Sequence, residues 1–200
     1  MDEALSRKYG RVLEIMPDVA ECAEGKLILV GGTALALFHL QHRISIDLDF
    51  VPADGDDARL KEFLKGRLSK KGYRTSAGAF QNQFVIQFED TSIKVEVFEP
   101  ENRVGKYAEH EFGLSKLKVA SLGDLLEMKK QSYADRLEAR DLFDIIFILR
   151  KEGKGTEAAE ELVRKIGKPK NVEAVRGMAL REEDYELMVS VIRNASKASG

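Results

Sequence analysis

The stretch that decides the fold is KLILVGGTALALFHLQHRISIDLDFV, residues 26–51. Lys26–Val30 is a short apolar run that ends at Gly31-Gly32, a pattern typical of a buried strand followed by a tight turn. Thr33–Leu40 predicts a helix that begins at a threonine N-cap. Ser45–Val51 alternates in residue type and predicts a second strand. This stretch therefore predicts a strand, a glycine turn, a helix and another strand, in that order.

Two aspartates lie in the second of these strands. Successive side chains of a strand point to opposite faces, so Asp47 and Asp49 share one face while Leu48 and Phe50 point to the core. Two carboxylates this close repel each other unless a cation lies between them, and Mg²⁺ prefers oxygen ligands. The pair therefore indicates a metal site, although a solvent-exposed edge strand would carry the same two residues.

A third carboxylate is available in the segment 92–98. Ile93, Val95 and Val97 share one face of this predicted strand, and Lys94 and Glu96 share the other. Glu96 would complete a site with three carboxylates, or it is an ordinary cross-strand partner of a lysine. Its rivals at the strand ends are Glu89, Asp90 and Glu99.

The remaining pattern predicts an α+β fold with a small mixed sheet, flanking helices and a helical C-terminal half. An amphipathic helix is expected over Asp56–Lys71 and a β-hairpin over Phe84–Phe88 and Ser92–Phe98. Helical spacing dominates from Ser121 onward. We therefore expect an α/β core over residues 1–110 and a helical region over residues 111–200.

Composition excludes several classes of protein. The 200 residues carry a net charge of -2, which gives no overall basic field for a nucleic acid, and the single cysteine, Cys22, permits no intramolecular disulfide. The sequence contains no apolar run long enough for a membrane span and no signal-peptide pattern, so a cytoplasmic protein without membrane contact is expected.

The segment Gly31-Gly32-Thr33, followed by residues 42–50, resembles the signature of the polymerase-β-type nucleotidyltransferase superfamily. More specifically, it resembles the AbiEii branch, the toxin component of abortive-infection and type IV toxin–antitoxin systems. The pattern of that branch is Gly-Gly-Thr/Ser, a spacer, and then Arg-x-Ser/Thr-x-Asp-x-Asp-Phe. Its fixed positions correspond here to Arg43, Ser45, Asp47, Asp49 and Phe50.

A second block lies in the predicted helical half. Leu125–Lys129, followed by Tyr133, Arg136 and the segment 140–145, resembles the lysine motif and the Arg/Lys-Asp-x-x-Asp-Leu/Ile motif of the same family. The two blocks occur in the family's order, and the resemblance extends over about residues 27–150.

The resemblance implies an NTP-dependent nucleotidyltransferase with a polymerase-β-type core, in which Asp47, Asp49 and Glu96 hold two Mg²⁺ and act in catalysis together with Lys129. Lys129 is expected to be an exposed residue that neutralises the triphosphate from the helical half. Arg43 contacts a phosphate or braces the metal-binding strand. The nucleotide ligands that the resemblance implies are Gly31, Gly32, Thr33, Arg43, Ser45, Lys129 and Asp141, with Asp144 as a further candidate.

Three interpretations of the function remain. The first is transfer to RNA, at the acceptor end of tRNA, by a toxin that an antitoxin protein controls. The second is a small-molecule nucleotidyltransferase of the antibiotic-modifying type. The third is a degenerate nucleotide-binding or protein-interaction module, against which the complete carboxylate set argues. A basic groove would favour RNA, and its candidate residues are Lys65, Arg67, Lys70, Lys71 and Arg74.

Overall fold

The computed structural model describes residues 3–55, 59–101 and 103–197. The chain divides into two compact units. The first comprises Met1–Ala34 and Ser45–Ser121, and the second comprises Leu35–Ile44 and Leu122–Gly200.

The first unit is built on a mixed sheet, which has seven strands within the described residues. The strands are β1 (Leu27–Val30), β2 (Leu48–Pro52), β3 (Arg74–Ala77), β4 (Gln83–Gln87), β5 (Ser92–Val97), β6 (Tyr107–Phe112) and β7 (Ser115–Ala120). Their order in the sheet is β3-β4-β5-β2-β1-β7-β6. The pairs β2–β5 and β1–β7 are parallel, and the other neighbours are antiparallel.

One face of this sheet carries the core of the first unit. Helices α1 (Glu3–Ala23) and α3 (Leu60–Lys70) contact the strands, and α1 also contacts α3. Leu48, Phe50 and Val95 are fully buried. Because strand residues alternate between faces, their neighbours Asp49, Lys94 and Glu96 lie on the opposite face, where each is partly exposed.

The second unit is helical within its described residues. Its helices are α4 (Leu122–Arg136), α5 (Ala139–Lys151), α6 (Glu157–Ile166), α7 (Val172–Arg176) and α8 (Glu182–Lys197). A helix at a protein surface buries one stripe of side chains, whereas α5 is buried along nearly its whole length and contacts each of the other four helices. No described helix combines the length and apolar character that crossing a membrane requires.

Residues 35–44 also belong to the second unit. The segment follows α2 (Gly31–Ala34) and begins with a π-helix over Leu35–His39. It then bonds to the chain before α8, because Ile44 donates its amide to Met178 O at 2.8 Å and Leu180 donates its amide to His42 O at 3.1 Å. These two bonds join the segment to a part of the chain that is remote in sequence.

The α+β class and the mixed sheet are confirmed, and β4 and β5 form the predicted hairpin. Several details differ. The predicted helix Thr33–Leu40 is a short α-helix followed by a π-helix, and β2 begins at Leu48 rather than Ser45. The predicted start of α3 at Asp56 lies outside the described residues.

The division predicted after residue 110 also differs from the structure. It would cut β6, which pairs along its whole length with β7 in the first unit. Strand β7 in turn pairs with β1, at Ile28↔Lys118 and Leu29↔Val119, which fixes the hairpin in the sheet. The first unit therefore extends to Ser121.

Candidate active site

The three predicted carboxylates lie on the open face of the sheet in the first unit. Asp49 in β2 is in parallel register with Glu96 in β5, and Asp47 immediately precedes β2. Leu48 and Phe50 point to the opposite face and are fully buried, which anchors β2 in the core. Asp47, Asp49 and Glu96 are all partly exposed, so the cluster opens to solvent.

The ammonium group of Lys94 lies among these carboxylates. Its Nζ is 3.3 Å from Asp47 Oδ2 and 3.6 Å from Glu96 Oε2. Partial burial lowers the pKa of Lys94, but the negative charges of Asp47, Asp49 and Glu96 outweigh this effect and raise the pKa above its ordinary value. Lys94 is therefore a charged cation within a group of three acids.

Two amide side chains hold Glu96. Asn82 Nδ2 donates to Glu96 Oε1 at 2.7 Å, and Gln83 Nε2 donates to Glu96 Oε2 at 2.9 Å. Gln83 lies directly opposite Glu96 in the β4–β5 ladder, which explains the contact. One donor on each oxygen fixes the plane of the carboxylate and leaves lone pairs for a further partner.

The donor set fits a hard divalent cation. Its ligand atoms are all carboxylate oxygens, which Mg²⁺ prefers, and they already surround one positive charge. Across the described residues, no three His, Cys, Asp or Glu side chains already stand at the spacing of a metal site. The carboxylates would therefore have to close around the ion in place of the Lys94 ammonium.

The glycine turn positions Asp49. Gly31 has a φ of 70°, a left-handed conformation that favours glycine. A Cβ added to Gly31 would collide with Asp49 Oδ2 and would lie 3.2 Å from Asp49 Cβ. Glycine at this position therefore allows the turn and the carboxylate to lie in direct contact.

The next residues of the turn position Asp47. Thr33 is fully buried, its hydroxyl donates to the backbone carbonyl of Asp47, and its Oγ1 lies 3.0 Å from Ser45 Oγ. These bonds tie the segment before β2 to the helix start after β1. The structure thus gives Thr33 and Ser45 a positioning role, and a contact between these hydroxyls and a phosphate stays a prediction, as does one from Gly32.

A cavity opens beside the amides that hold Glu96. Its volume is about 570 Å³, and Asn82 lines it together with Pro52, Lys61, Val97 and Glu99. Small-molecule sites commonly have volumes of about 300–1,000 Å³. The first unit therefore has room for a small ligand next to one of the residues that bond Glu96.

The second block of predicted site residues forms a buried ionic cluster in the second unit. Asp144 accepts bonds from Arg43 Nε at 2.6 Å and Arg43 Nη2 at 2.8 Å, and His42 Nε2 lies 2.8 Å from Asp144 Oδ1. Lys129 Nζ lies 2.8 Å from Asp144 Oδ2 and 3.0 Å from Asp141 Oδ1. Both aspartates are completely buried.

The charges of this cluster compensate one another. Burial alone would raise the pKa values of Asp141 and Asp144, but the adjacent cations hold both below the ordinary value, with that of Asp144 far below it. The cations are Lys129 and Arg136 for Asp141, and Arg43 and Lys129 for Asp144. Both aspartates are therefore ionised.

The expectation that Lys129 is exposed is wrong. The residue is only 7% exposed, and its ammonium group contacts two buried carboxylates. For Arg43, the two alternatives, a phosphate contact and bracing of the metal-binding strand, stay predictions. Its guanidinium is buried, bonds Asp144 through two nitrogens and donates from Nη1 to Ile44 O at 2.9 Å. Contacts of Arg43, Lys129 and Asp141 with a nucleotide stay predictions.

His42 is part of the same buried cluster. It stacks on Phe143 with ring centroids 5.4 Å apart, and its Nδ1 is buried without a hydrogen-bond partner among the described residues. Burial lowers the pKa of His42, an effect that outweighs the opposing influence of Asp144. The imidazole is therefore neutral at pH 7.

Three of the five residues of the candidate basic groove form ion pairs with acids. Lys71 Nζ lies 2.8 Å from both Asp18 Oδ1 and Glu21 Oε2, and Arg67 forms an ion pair with Glu24. A further candidate, Lys65, lies 3.9 Å from a Glu62 carboxylate oxygen. Positive charges paired in this way attract phosphates only weakly, so this surface gives little support to RNA binding.

Comparison with known proteins gives a family and a fold. The family model described as "Nucleotidyl transferase AbiEii toxin, Type IV TA system" matches residues 18–191. No curated protein matches the sequence. Among solved structures, the chain is similar to a candidate nucleotidyltransferase from H. pylori, with a TM-score of 0.61, 16% identity, and coverage of 99% of this chain and 97% of the other.

Two further structures have the same fold. JHP933 from Helicobacter pylori gives a TM-score of 0.58 at 17% identity, with coverage of 100% of this chain and 96% of the other. An antigenic nucleotidyltransferase-like protein from Paracoccidioides brasiliensis gives a TM-score of 0.51 at 17% identity, with coverage of 72% and 77%. At these identities the structures support the fold alone.

Proposed function

The chain belongs to the AbiEii family of nucleotidyltransferase toxins, and from this premise we propose that Asp47, Asp49 and Glu96 hold Mg²⁺ for the transfer of a nucleoside monophosphate. The donor is a nucleoside triphosphate and the acceptor is a hydroxyl group. The acceptor oxygen forms a bond to the α-phosphorus, the bond from that phosphorus to the bridging oxygen breaks, and pyrophosphate leaves.

One observation carries this proposal. Three carboxylates lie on the open face of a sheet, and the Lys94 ammonium group lies among them. Carboxylates this close repel each other, and a divalent cation relieves the repulsion. The cluster therefore has the ligand atoms that a magnesium site needs, in an arrangement that already holds one cation.

The residues of the first unit supply positioning and proton transfer. Gly31 leaves room for the Asp49 side chain, Thr33 bonds the backbone of Asp47, and Asn82 and Gln83 hold Glu96. When bound, Mg²⁺ neutralises phosphate charge and makes the acceptor hydroxyl more acidic. We assign Glu96 to accept the hydroxyl proton, because its carboxylate is held in one plane with lone pairs still available.

Roles at the nucleotide for Lys129 and Asp141 rest on the family motif that these residues match. The buried cluster gives this proposal a physical basis, since Lys129 is held in one position by Asp141 and Asp144. A lysine ammonium fixed in this way is a preorganised positive charge, suited to the developing charge on a triphosphate. In the first unit, the backbone amides of Gly31 and Gly32 are the groups that we propose donate hydrogen bonds to the phosphates.

For the acceptor, we propose RNA, at the acceptor end of tRNA, and the family description of a toxin from a type IV TA system suggests an antitoxin protein as a regulatory partner. A small-molecule acceptor is the second candidate. Two observations favour it: basic residues on and beside α3 are paired with acids, and a cavity of about 570 Å³ adjoins Asn82. A degenerate binding module is the least supported candidate, since Asp47, Asp49 and Glu96 are all present.

The test is an incubation with each α-labelled nucleoside triphosphate, Mg²⁺ and either total RNA or a set of aminoglycosides. Gel electrophoresis detects labelled RNA, and thin-layer chromatography detects labelled small products. Asp49→Asn is the inactive control, and Asp90→Asn is a matched control on the β4–β5 hairpin, where Asp90 is bonded only by Arg11 among the contacts described. Absence of transfer to every acceptor, with all four nucleotides, would overturn the proposal.

A further inference from the structure

We propose that Lys94 is a tethered counter-ion of the metal site, which prevents tight binding of a divalent cation until a nucleotide is bound. The inference rests on the proposed function, because it takes Asp47, Asp49 and Glu96 as the metal ligands. It adds a coupling: the metal and the triphosphate bind together, and Lys94 is the residue that couples them.

The first argument is the position of the ammonium group. Lys94 Nζ contacts an oxygen of Asp47 at 3.3 Å and an oxygen of Glu96 at 3.6 Å, and it also feels the charge of Asp49. A cation that bridged the same oxygens would occupy the same space. Lys94 and a divalent ion therefore cannot both keep these contacts.

The second argument is that Lys94 can leave. Its side chain is 36% exposed and that of Asp47 is 32% exposed, so water can solvate both groups when they separate. Ion pairs with this exposure contribute little stability and exchange easily. Lys129 offers the contrast within the same chain, because its side chain is 9% exposed and it bonds two completely buried aspartates at 2.8 and 3.0 Å.

The third argument concerns what the nucleotide adds. A bare divalent ion that enters the cluster must displace Lys94 and then lie close to its charge, which weakens binding. A triphosphate brings its own negative charges, and the flexible four-carbon stem lets the ammonium turn from the carboxylates to a phosphate oxygen. Lys94 then loses no partner, and the repulsion between the ammonium and the metal is relieved.

The experiment measures the affinity of the apo protein for Mn²⁺ in the absence of nucleotide. The electron paramagnetic resonance signal of the free ion gives the fraction that is not bound. Lys94→Met should bind Mn²⁺ about tenfold more tightly than the wild type, because one nearby positive charge is removed. Lys116→Met is the matched control, since Lys116 also pairs with one strand carboxylate, Glu109, at 3.0 Å but lies in the β6–β7 hairpin. It should leave the affinity unchanged.

A second arm measures the coupling itself. An NTP analogue with a non-hydrolysable α,β-methylene bridge should strengthen Mn²⁺ binding to the wild type much more than to Lys94→Met. If Lys94→Met does not fold, Lys94→Gln replaces it. Circular dichroism then checks that this variant is folded, and the same Mn²⁺ titration measures its affinity. In the double variant Lys94→Met/Asp49→Asn the gain should disappear, which assigns the bound ion to this cluster.

The outcomes separate the two proposals. If Lys94→Met and Lys94→Gln bind Mn²⁺ no more tightly than the wild type, while Asp49→Asn still weakens binding, Lys94 is not a counter-ion of the metal site and the metal assignment stands. If Asp49→Asn binds Mn²⁺ as the wild type does, with and without the analogue, the metal assignment itself is overturned.

Discussion

Replacement of Lys129 by methionine should destabilise the protein strongly, although a lysine in a polar stretch of helix usually contributes little. Lys129 is almost fully buried and contacts Asp141 and Asp144, neither of which is exposed. Methionine keeps the apolar part of the side chain and removes the charge. The variant therefore isolates the electrostatic contribution of the ammonium group.

The loss in the free energy of unfolding depends on the partners that Asp141 and Asp144 keep in the variant. Removal of one partner of a buried ion pair typically costs about 3–5 kcal/mol, because the other charge is left buried and uncompensated. Here Asp144 keeps Arg43 and His42, and Asp141 keeps two bonds from Arg136 at 2.7 and 3.0 Å. We therefore expect about 3 kcal/mol, the lower end of that range, or a melting temperature lower by about 6–12 °C.

Scanning calorimetry of the wild type and two variants measures the effect. Lys130→Met is the control, since Lys130 is the next residue on α4, has a 39% exposed side chain and pairs only with Glu127 among the described contacts, at 2.8 Å. An exposed pair of this kind contributes about 0.5 kcal/mol or less. Equal melting temperatures for Lys129→Met and Lys130→Met would refute the reasoning.

Three further predictions concern single residues. Asp49→Asn should lower nucleotidyl transfer more than about a hundredfold without lowering the melting temperature, since it removes a metal ligand and relieves carboxylate repulsion; transfer near the wild-type rate would contradict the metal assignment. Gly31→Ala should cost at least about 1 kcal/mol in urea unfolding and impair transfer, because its φ of 70° and the contact with Asp49 disfavour a Cβ. Gly10→Ala, where a Cβ meets no atom within 4 Å, is the control, and equal stabilities would count against this account. Finally, burial holds the pKa of His42 below the ordinary 6.5, so its contribution to stability is present above pH 6.5 and is lost as the pH falls from there through the folded-state pKa. The free energy of unfolding should therefore fall less between pH 7 and pH 5 in His42→Gln, and an unchanged slope would exclude His42 as the cause.

Local patterns predicted the central strands but not the full extent of the sheet. The alternation in Ser92–Phe98 and the apolar run Lys26–Val30 predicted two strands, which the structure contains over Ser92–Val97 and Leu27–Val30. Strand β7 also alternates, with Leu117 and Val119 buried, yet its parallel partner β1 lies far away in sequence. Parallel pairing depends on such distant contacts, which a local pattern does not encode.

Contacts between residues distant in sequence also explain why residues 35–44 belong to the second unit. Sequence order puts them between two strands of the first unit, but Arg43 bonds Asp144, which lies 101 residues further along the chain. The bonds of this segment to Asp144, Met178 and Leu180 explain why it belongs to the helical unit. For Lys129, the residue type alone predicted exposure, because the pairing that permits its burial depends on α4 and α5 packing together.

For the candidate site, strand alternation was sufficient to predict the face that Asp49 and Glu96 occupy, whereas Asp47 lies just before β2. The partners of those carboxylates required register as well. Lys94 could be seen from sequence to share a face with Glu96, whereas the bonds from Asn82 and Gln83 follow from the pairing of β4 with β5. The roles of the site residues in catalysis stay predictions that the experiments above test.

The two clusters differ in their exposure, and this difference argues for different tasks. In the first unit Asp47, Asp49 and Glu96 lie around the Lys94 ammonium group on a surface open to solvent. In the second unit Asp141 and Asp144 are completely buried and pair with Lys129, Arg43 and Arg136. Exposed ion pairs exchange easily, whereas removal of one partner from a buried pair leaves an uncompensated charge. The first cluster can therefore rearrange around a bound cation, and the second is held in one arrangement by the packing of its own unit.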